Sequence, residues 1–165
     1  MRRWVLSKRD RRRLFARLMD AYPRLSLPGR DCRVEILVAE DFRIYVFDSI
    51  PAFIEAGERG LLIPHLKYLL STGNFEEWLP VVVVDEGAVA PIARGADLMR
   101  PGVVEVRGDF PAGAILVIVE GSKGVPLAVH RSLYASRDMI AMSRGRVAES
   151  LHHVGDRFWA VAGGL

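Results

Sequence analysis

The chain has 165 residues, half of them hydrophobic, with a formal net charge of +3 and a pI near 9.3. This length permits one ordinary domain or two small ones, and so much apolar sequence argues against a disordered chain. The sequence holds no apolar run of about 18 residues that could cross a membrane, and its arginine-rich start lacks the apolar stretch of a signal peptide. We therefore expect a soluble, cytoplasmic protein with no membrane partner.

The side chains that usually carry catalysis or hold metals are sparse. Cys32 is the single cysteine, which excludes an intramolecular disulfide and any cysteine-cluster metal site. The histidines show no metal-ligand spacing, and no phosphate-binding Walker loop is present. We expect no catalytic residue, no metal and no cofactor, and therefore not an enzyme. The tryptophans are expected to be packing anchors.

The first 17 residues concentrate positive charge, with eight arginines and lysines. Ser7 and Asp10 resemble a capping box, and apolar residues recur at helical spacing after them, which predicts an amphipathic helix over 8–22. Its basic stripe is a candidate contact for ribosomal RNA or a partner protein: Arg9, Arg13 and Arg17. The alternatives are a solvated helix face or cations that balance an acidic neighbour.

The rest of the first half predicts a small α+β domain over residues 1–78. Three strands are expected, at 33–38, 42–48 and 52–55. Pro64 is expected to open a second helix, which closes near Gly73.

In residues 79–165, the pattern of short strands, glycine turns and two small helices predicts a compact mixed barrel. Strands are expected at 81–84, 102–106, 115–120, 126–133, 147–153 and 158–162. A short helix is predicted over 87–96 with Pro91 confined to its first turn, where amide donors are unpaired anyway. A second helix over 137–142 is expected to be capped by Ser136.

The stretch VDEGAVAPIARGADLMRPGV resembles the signature of PUA domains, an RNA-binding fold. The matching positions are Asp85, Gly87, Ala88, Gly95, Ala96, Leu98, Pro101 and Gly102. Further matches follow at Gly145, His152, Asp156 and Trp159. The resemblance implies an α+β protein whose C-terminal domain, 79–165, is a PUA mixed pseudobarrel that binds structured RNA.

The first half is similar in element order to the malignant T-cell-amplified-sequence family and to the N-terminal part of ligatin. The scarcity of amide side chains fits a thermophile, and the chain is identified as an archaeal member. The resemblance implies action on the small ribosomal subunit with a partner protein, in initiation or in ribosome recycling.

The candidate RNA-binding residues fall into three groups. Gly87 and Ala88 would offer free amides at a helix start, while Gly95 and Ala96 would let backbone approach RNA closely. Cationic side chains would reach phosphates or stack on bases: Arg94, Arg100, Lys123, Arg131, Arg137, Arg144 and Arg146. His130 stands where the family usually has glycine, and it could stack on a base or donate to a phosphate.

We therefore predict an RNA-binding protein of the translation apparatus that binds tRNA or small-subunit rRNA, with no DNA partner. The first domain would orient the protein or dock a translation-factor partner. The alternative is a non-catalytic accessory subunit of a tRNA-modifying enzyme. Which RNA is bound, with what sequence specificity, and in what oligomeric state are left open by the sequence.

Overall fold

A computed structural model describes residues 1–163 as two compact units of mixed helix and strand. The first comprises residues 1–78 together with residues 161–163, and the second comprises residues 79–160. The α+β class expected from the sequence is confirmed. None of the helices in the described part of the chain is long and apolar enough to cross a membrane.

The first unit is an antiparallel meander of five strands with two helices. Its elements are β1 Arg2–Val5, α1 Lys8–Ala21, β2 Val34–Val38, β3 Phe42–Phe47, β4 Ile50–Ala56, β5 Leu61–Pro64 and α2 Leu66–Thr72, followed by a 3₁₀ turn at Phe75–Glu77. The strands lie side by side in chain order. The predicted cap of α1 is confirmed, because the amide of Asp10 donates to Ser7 Oγ at 3.1 Å. Leu14 and Leu18 of α1 are buried.

Two strands of this unit, β1 and β5, were not predicted from the sequence. All four residues of β1 are exposed, so the stretch RRWV shows no apolar face that would mark a strand. It is nevertheless paired along its whole length with β2, from Arg2 opposite Val38 to Val5 opposite Glu35. Pro64 ends β5 and does not open α2, which His65 caps instead. A proline without an amide donor is tolerated there because β5 is an edge strand.

The second unit is one curled sheet of six strands with short helices at its ends. Its elements are β6 Val81–Val84, α3 Glu86–Ala93, β7 Leu98–Met99, β8 Val103–Arg107, β9 Ile115–Glu120, β10 Pro126–Ser132, α4 Ser136–Ala141 and β11 Arg146–His153, together with most of α5 Arg157–Ala162, whose last two residues group with the first unit. The strand order is β7-β11-β10-β9-β6-β8, and β6 runs parallel to β9 while the other neighbours are antiparallel. The core includes Val82, Leu116 and Ile118.

Two helix predictions in this unit were wrong in detail. The first helix begins at Glu86, so Pro91 lies in its second turn, where it removes one helical hydrogen bond. Ser136 is the first residue of α4 and does not cap it. Its hydroxyl instead accepts from the amide of Phe110 at 3.1 Å and donates to Asp109 at 3.0 Å, which tie α4 to the preceding loop.

The predicted strand over 158–162 is a helix, α5. The carboxylate of Asp156 accepts from the amide of Trp159 at 2.9 Å, and this cap starts the helix. The same carboxylate lies 2.8 Å from Nδ1 of the buried His152 and accepts from the amide of His153. The apolar residues after Asp156 resemble a strand in their pattern, but the carboxylate of Asp156 makes the segment helical through contacts with residues at most four positions away.

Candidate nucleic-acid interface

The start of α3 is already occupied by a carboxylate of the protein. Asp85 caps the helix, and its Oδ1 accepts from the amide of Ala88 at 2.9 Å. The predicted phosphate site with a free amide at Ala88 is therefore wrong, because the side chain of Asp85 already provides the anion. Ala88 has a packing role too, since a Cβ added at Gly102 would lie 3.1 Å from its methyl group. Gly87 has no positive φ and has room for a side chain.

The turn after α3 requires glycine at Gly95. Its φ is +101°, a conformation that L side chains rarely adopt, and an added Cβ would lie 2.7 Å from Nε2 of His153. Nδ1 of His153 lies 3.1 Å from the carbonyl oxygen of Ala93 and 2.9 Å from that of Val154. Because carbonyl oxygens only accept, this nitrogen carries the hydrogen and the ring is fixed against the turn. Ala96 lies exposed at the tip of that turn.

Arg100 is bound by backbone carbonyls of its own unit. Its Nε donates to Met139 at 2.8 Å, its Nη2 to Ile140 at 3.2 Å and its Nη1 to Val103 at 3.3 Å. These contacts fasten the turn between β7 and β8 to the C-terminal end of α4. The structure therefore assigns Arg100 a structural role that the sequence analysis did not foresee.

Two further predicted arginines are held in ion pairs. Arg146 Nη1 lies 3.1 Å from Asp97 Oδ2, and Arg131 Nη2 lies 3.0 Å from Glu149 Oε1 across paired strands. The other oxygen of Asp97 accepts from the amide of Ser150 at 2.8 Å. That amide, assisted by the Arg146 guanidinium, lowers the pKa of Asp97 below its ordinary value. Both arginines remain partly exposed, so each keeps donors for a ligand.

Three predicted arginines are exposed and have no acidic partner among residues 1–163: Arg94, Arg137 and Arg144. The segments that carry them are joined directly. Strand β7 pairs with β11, the amide of Arg100 donates to the carbonyl of Gly145 at 2.7 Å, and the Arg100 side chain reaches α4. The turn after α3, helix α4 and the approach to β11 are therefore neighbouring segments, and we call the exposed arginines that they carry, Arg94, Arg137 and Arg144, the β7–α4 surface.

Lys123 is exposed on the turn between β9 and β10. Glu120 orders this turn by accepting from Ser122 and from the amide of Lys123. Chiefly through the Ser122 hydroxyl, these bonds lower the pKa of Glu120 to about 2. Because Val84 pairs with Glu120, the turn lies near the start of α3. The β7–α4 surface does not include it.

The prediction for His130 was wrong. Its side chain is fully buried, and neither ring nitrogen has a hydrogen-bond partner within the described residues. Burial lowers the pKa of His130 to about 4, so the ring is neutral at physiological pH. The register of β10 against β11 shifts between Val129 and His130, which directs the ring inward. It is therefore in no position to stack on a base or donate to a phosphate.

The basic stripe of α1 in the first unit is heterogeneous. Arg17 donates to Glu55 Oε1 at 2.7 Å and to the carbonyl of Gly60 at 3.1 Å, as expected for a cation that balances an acid. Arg9 is highly exposed and lies 3.9 Å from Asp10. Arg13 is exposed and has no acidic partner in the part of the chain that the structure describes.

The described residues offer neither a grouped metal site nor an activated thiol. Within residues 1–163, no three His, Cys, Asp or Glu side chains are grouped so that they could hold a metal ion. Burial, reinforced by a hydrogen bond to Asp48, raises the pKa of Cys32 above its ordinary value. Such a shift is the opposite of the one that activates a thiol.

Comparison with known protein families identifies the second unit. Residues 80–154 match the PUA domain model. The second unit therefore carries a PUA domain. The resemblance seen in the motif from Asp85 to Gly102 is confirmed, and the curled sheet is the scaffold of that domain. Residues 2–72 match a family described as a domain of unknown function, DUF1947.

The similarity to known proteins extends over both units of this chain. The fold superimposes with a TM-score of 0.87 on a crystal structure of a PUA-domain protein from Aeropyrum pernix, determined as a tartrate complex, at 29% identity over 98% of this chain and 91% of that one. A hypothetical protein from the hyperthermophilic archaeon Pyrococcus horikoshii gives 0.80 at 29% identity, over 98% and 99% of the two chains. Translation machinery-associated protein 20 of Saccharomyces cerevisiae is 29% identical over 90% of this chain and 86% of its own length.

Proposed function

We propose that this protein is a non-catalytic RNA-binding protein of the translation apparatus, and that its PUA domain binds tRNA or small-subunit rRNA during initiation or ribosome recycling. The observation that carries the proposal is the β7–α4 surface, where Arg94, Arg137 and Arg144 are exposed without acidic partners. Similarity to a translation machinery-associated protein over both units supports the cellular setting.

The chemistry of this surface suits phosphate binding. Structured RNA is recognised largely through its shape, its 2′-hydroxyls and its phosphates. Guanidinium groups form bidentate hydrogen bonds with phosphate oxygens. Of the other predicted arginines nearby, Arg100 donates to carbonyls from all three of its side-chain nitrogens, and Arg146 is paired with Asp97. The unpaired arginines are therefore the first candidates for direct contact.

The proposal is tested with a tRNA transcript and a small-subunit rRNA fragment at increasing salt. Each phosphate contact adds about 0.7–0.9 to the slope of log K against log salt. We expect Arg94→Ala to weaken binding and reduce the slope by about that amount. Arg59→Ala, which removes one exposed arginine from the first unit, is the matched control and should change neither. Equal affinity of wild type and Arg94→Ala for both RNAs would contradict the proposal.

Co-purification from cell extract tests the cellular role. Ribosomal subunits or a translation-factor partner in the purified fraction would support the proposal and cytoplasmic localisation. A transglycosylase or pseudouridine synthase as the dominant partner would instead favour an accessory subunit of a tRNA-modifying enzyme.

We further infer a thermophilic archaeal source, supported by the archaeal relatives and the scarcity of amide side chains. A melting temperature within the mesophile range of about 45–65 °C would contradict that inference.

A further inference from the structure

A cleft of about 380 Å³ opens in the first unit between α1 and one face of the sheet. Residues opposite one another in β1, β2 and β3 form its floor as two adjacent rows: Arg2, Val38 and Arg43 in one row, and Trp4, Ile36 and Tyr45 in the next. Helix α1 forms the wall with one face: Asp10, Arg13, Leu14 and Arg17. Aliphatic residues thus lie at the centre of the floor, with arginines and aromatic rings around them.

The cleft carries more positive charge than the nearby acids neutralise, because four arginines line it against the carboxylates of Asp10 and Glu55. Glu55 binds two of the four arginines, with Arg17 Nη1 at 2.7 Å and Arg43 Nη1 at 3.7 Å. Its Oε1 also accepts from the hydroxyl of Tyr45 at 2.8 Å. Arg2 and Arg13 have no acidic partner in the described chain. Two unpaired guanidiniums facing one cleft favour an anionic ligand.

An exposed indole lies beside these guanidiniums. Trp4 is 42% exposed and is absent from the hydrophobic core, although sequence analysis expected a packing anchor. Arg2 Cζ lies 5.4 Å from the centre of its ring. A planar cation resting on an indole occupies the face on which a nucleobase would stack. The Trp4 ring is therefore available to a ligand that displaces Arg2 or stacks with it.

We propose that this cleft binds one nucleotide of a single-stranded RNA segment, with its base on Trp4 and its phosphate on Arg13 and Arg2. The site rests on the proposed RNA-binding function but is separate from the β7–α4 surface. Ligand pockets span about 300–1,000 Å³, so this cleft suits a single nucleotide and excludes a duplex. An acidic peptide would satisfy the guanidiniums but would leave the indole unused.

A second basic cleft continues this surface. It has a volume of about 560 Å³, is lined by Lys8, Arg11, Arg12 and Arg30, and shares Leu6 with the first cleft. Arg11 donates to the carbonyl of Gly29 at 2.7 Å and also to that of Cys32, which fixes one wall. A phosphodiester backbone that leaves Trp4 along this direction meets further cations, as in proteins that bind single strands.

The test uses the full chain and a 5′-labelled uridine hexanucleotide, with anisotropy and tryptophan fluorescence as readouts. We expect Trp4→Ala to weaken binding at least about fivefold, while Trp4→Phe keeps most of the affinity because a ring remains. Arg13→Ala should weaken binding and reduce the salt slope by about 0.7, the value for one single-strand phosphate. Arg59→Ala removes one exposed arginine of the same unit outside both clefts and should leave binding unchanged.

Several outcomes would overturn the proposal. One is unchanged affinity in Trp4→Ala with an unchanged circular dichroism spectrum. Others are an equal loss in Arg59→Ala, or displacement of the hexanucleotide by hexaglutamate at a similar concentration, which would indicate an acidic peptide. Arg94→Ala separates this site from the proposed function, because it should weaken tRNA binding and leave hexanucleotide binding intact. Trp4-dependent hexanucleotide binding in a protein that binds neither tRNA nor the small-subunit rRNA fragment would support the cleft and refute the proposed function.

Discussion

The motif of the second unit and the basic helix of the first use their distinctive residues differently. Between Asp85 and Gly102, the residues that carry the PUA signature mostly serve the fold: Asp85 caps α3, and Gly95 makes room for the His153 ring. On α1, which carries no such signature, Arg13 faces a cleft without an acidic partner.

This difference separates evidence for a fold from evidence for a contact. The residues of a motif with fixed spacing occupy the positions where the fold requires a helix cap or a particular backbone conformation. Such a motif therefore identifies the domain. The ligand-facing side chains of the same segment need only be exposed and cationic, as Arg94 is. Charge clusters therefore have to be sorted by their partners in three dimensions before any of them is assigned to RNA.

The largest expected effect concerns Gly95. Replacement by valine combines a positive φ with a Cβ pressed against the His153 ring, and we expect a loss of about 2–5 kcal/mol in unfolding free energy. Denaturant unfolding measures it. Gly87→Ala is the matched control from the same motif, and it should be neutral or stabilising because its φ is not positive. Equal destabilisation by the two substitutions would refute the distinction between these glycines.

The next effect concerns His130 and pH. Because burial lowers its pKa to about 4 from 6.5, the unfolded chain binds the proton more readily between those values. Stability is therefore fully present above pH 6.5 and is lost as pH falls toward 4, by about 3 kcal/mol. Unfolding free energies measured across this window should fall less steeply in His130→Leu than in the wild type. Parallel pH profiles would show that His130 is solvated.

Arg100 should affect stability more than RNA binding. Arg100→Ala removes three hydrogen bonds to carbonyls of β8 and α4, which should lower the unfolding free energy by about 1–3 kcal/mol. At a temperature where the variant stays folded, its salt slope for tRNA should match the wild type. A reduced slope with unchanged stability would move Arg100 from the scaffold to the contact surface.

The smallest effect compares two arginines of α1. Arg17→Ala breaks the partly exposed pair with Glu55 and should cost about 0.2–1 kcal/mol. Arg13→Ala should leave stability unchanged, because no described acid pairs with it. Thermal melts of both variants at low and high salt measure the difference. Loss of stability in Arg13→Ala alone would reverse the roles assigned to them.

Much of the fold could be predicted from local patterns. The helical spacing of α1, the valine run of β6 and the turn glycines were sufficient to place most elements and to recognise the PUA segment. Of the elements that were missed or misassigned, β1 depends on a distant partner strand, whereas α5 depends on a local cap whose partners lie within four residues. Strand β1 exists because β2 pairs with it, and α5 begins where Asp156 caps it beside the buried His152.

The features of the candidate site also fall into those that the sequence predicts and those that depend on the tertiary structure. The sequence by itself determined the α+β class, the PUA motif and the positions of the arginines, because these depend on residue type and spacing. Only the tertiary structure decided that His130 is buried, that Arg100 binds carbonyls, and that Arg2, Trp4 and Arg13 share one cleft. The physical reason is that a side chain's burial and its hydrogen-bond partners depend on contacts between segments distant in sequence. The local sequence does not show which of these segments come into contact.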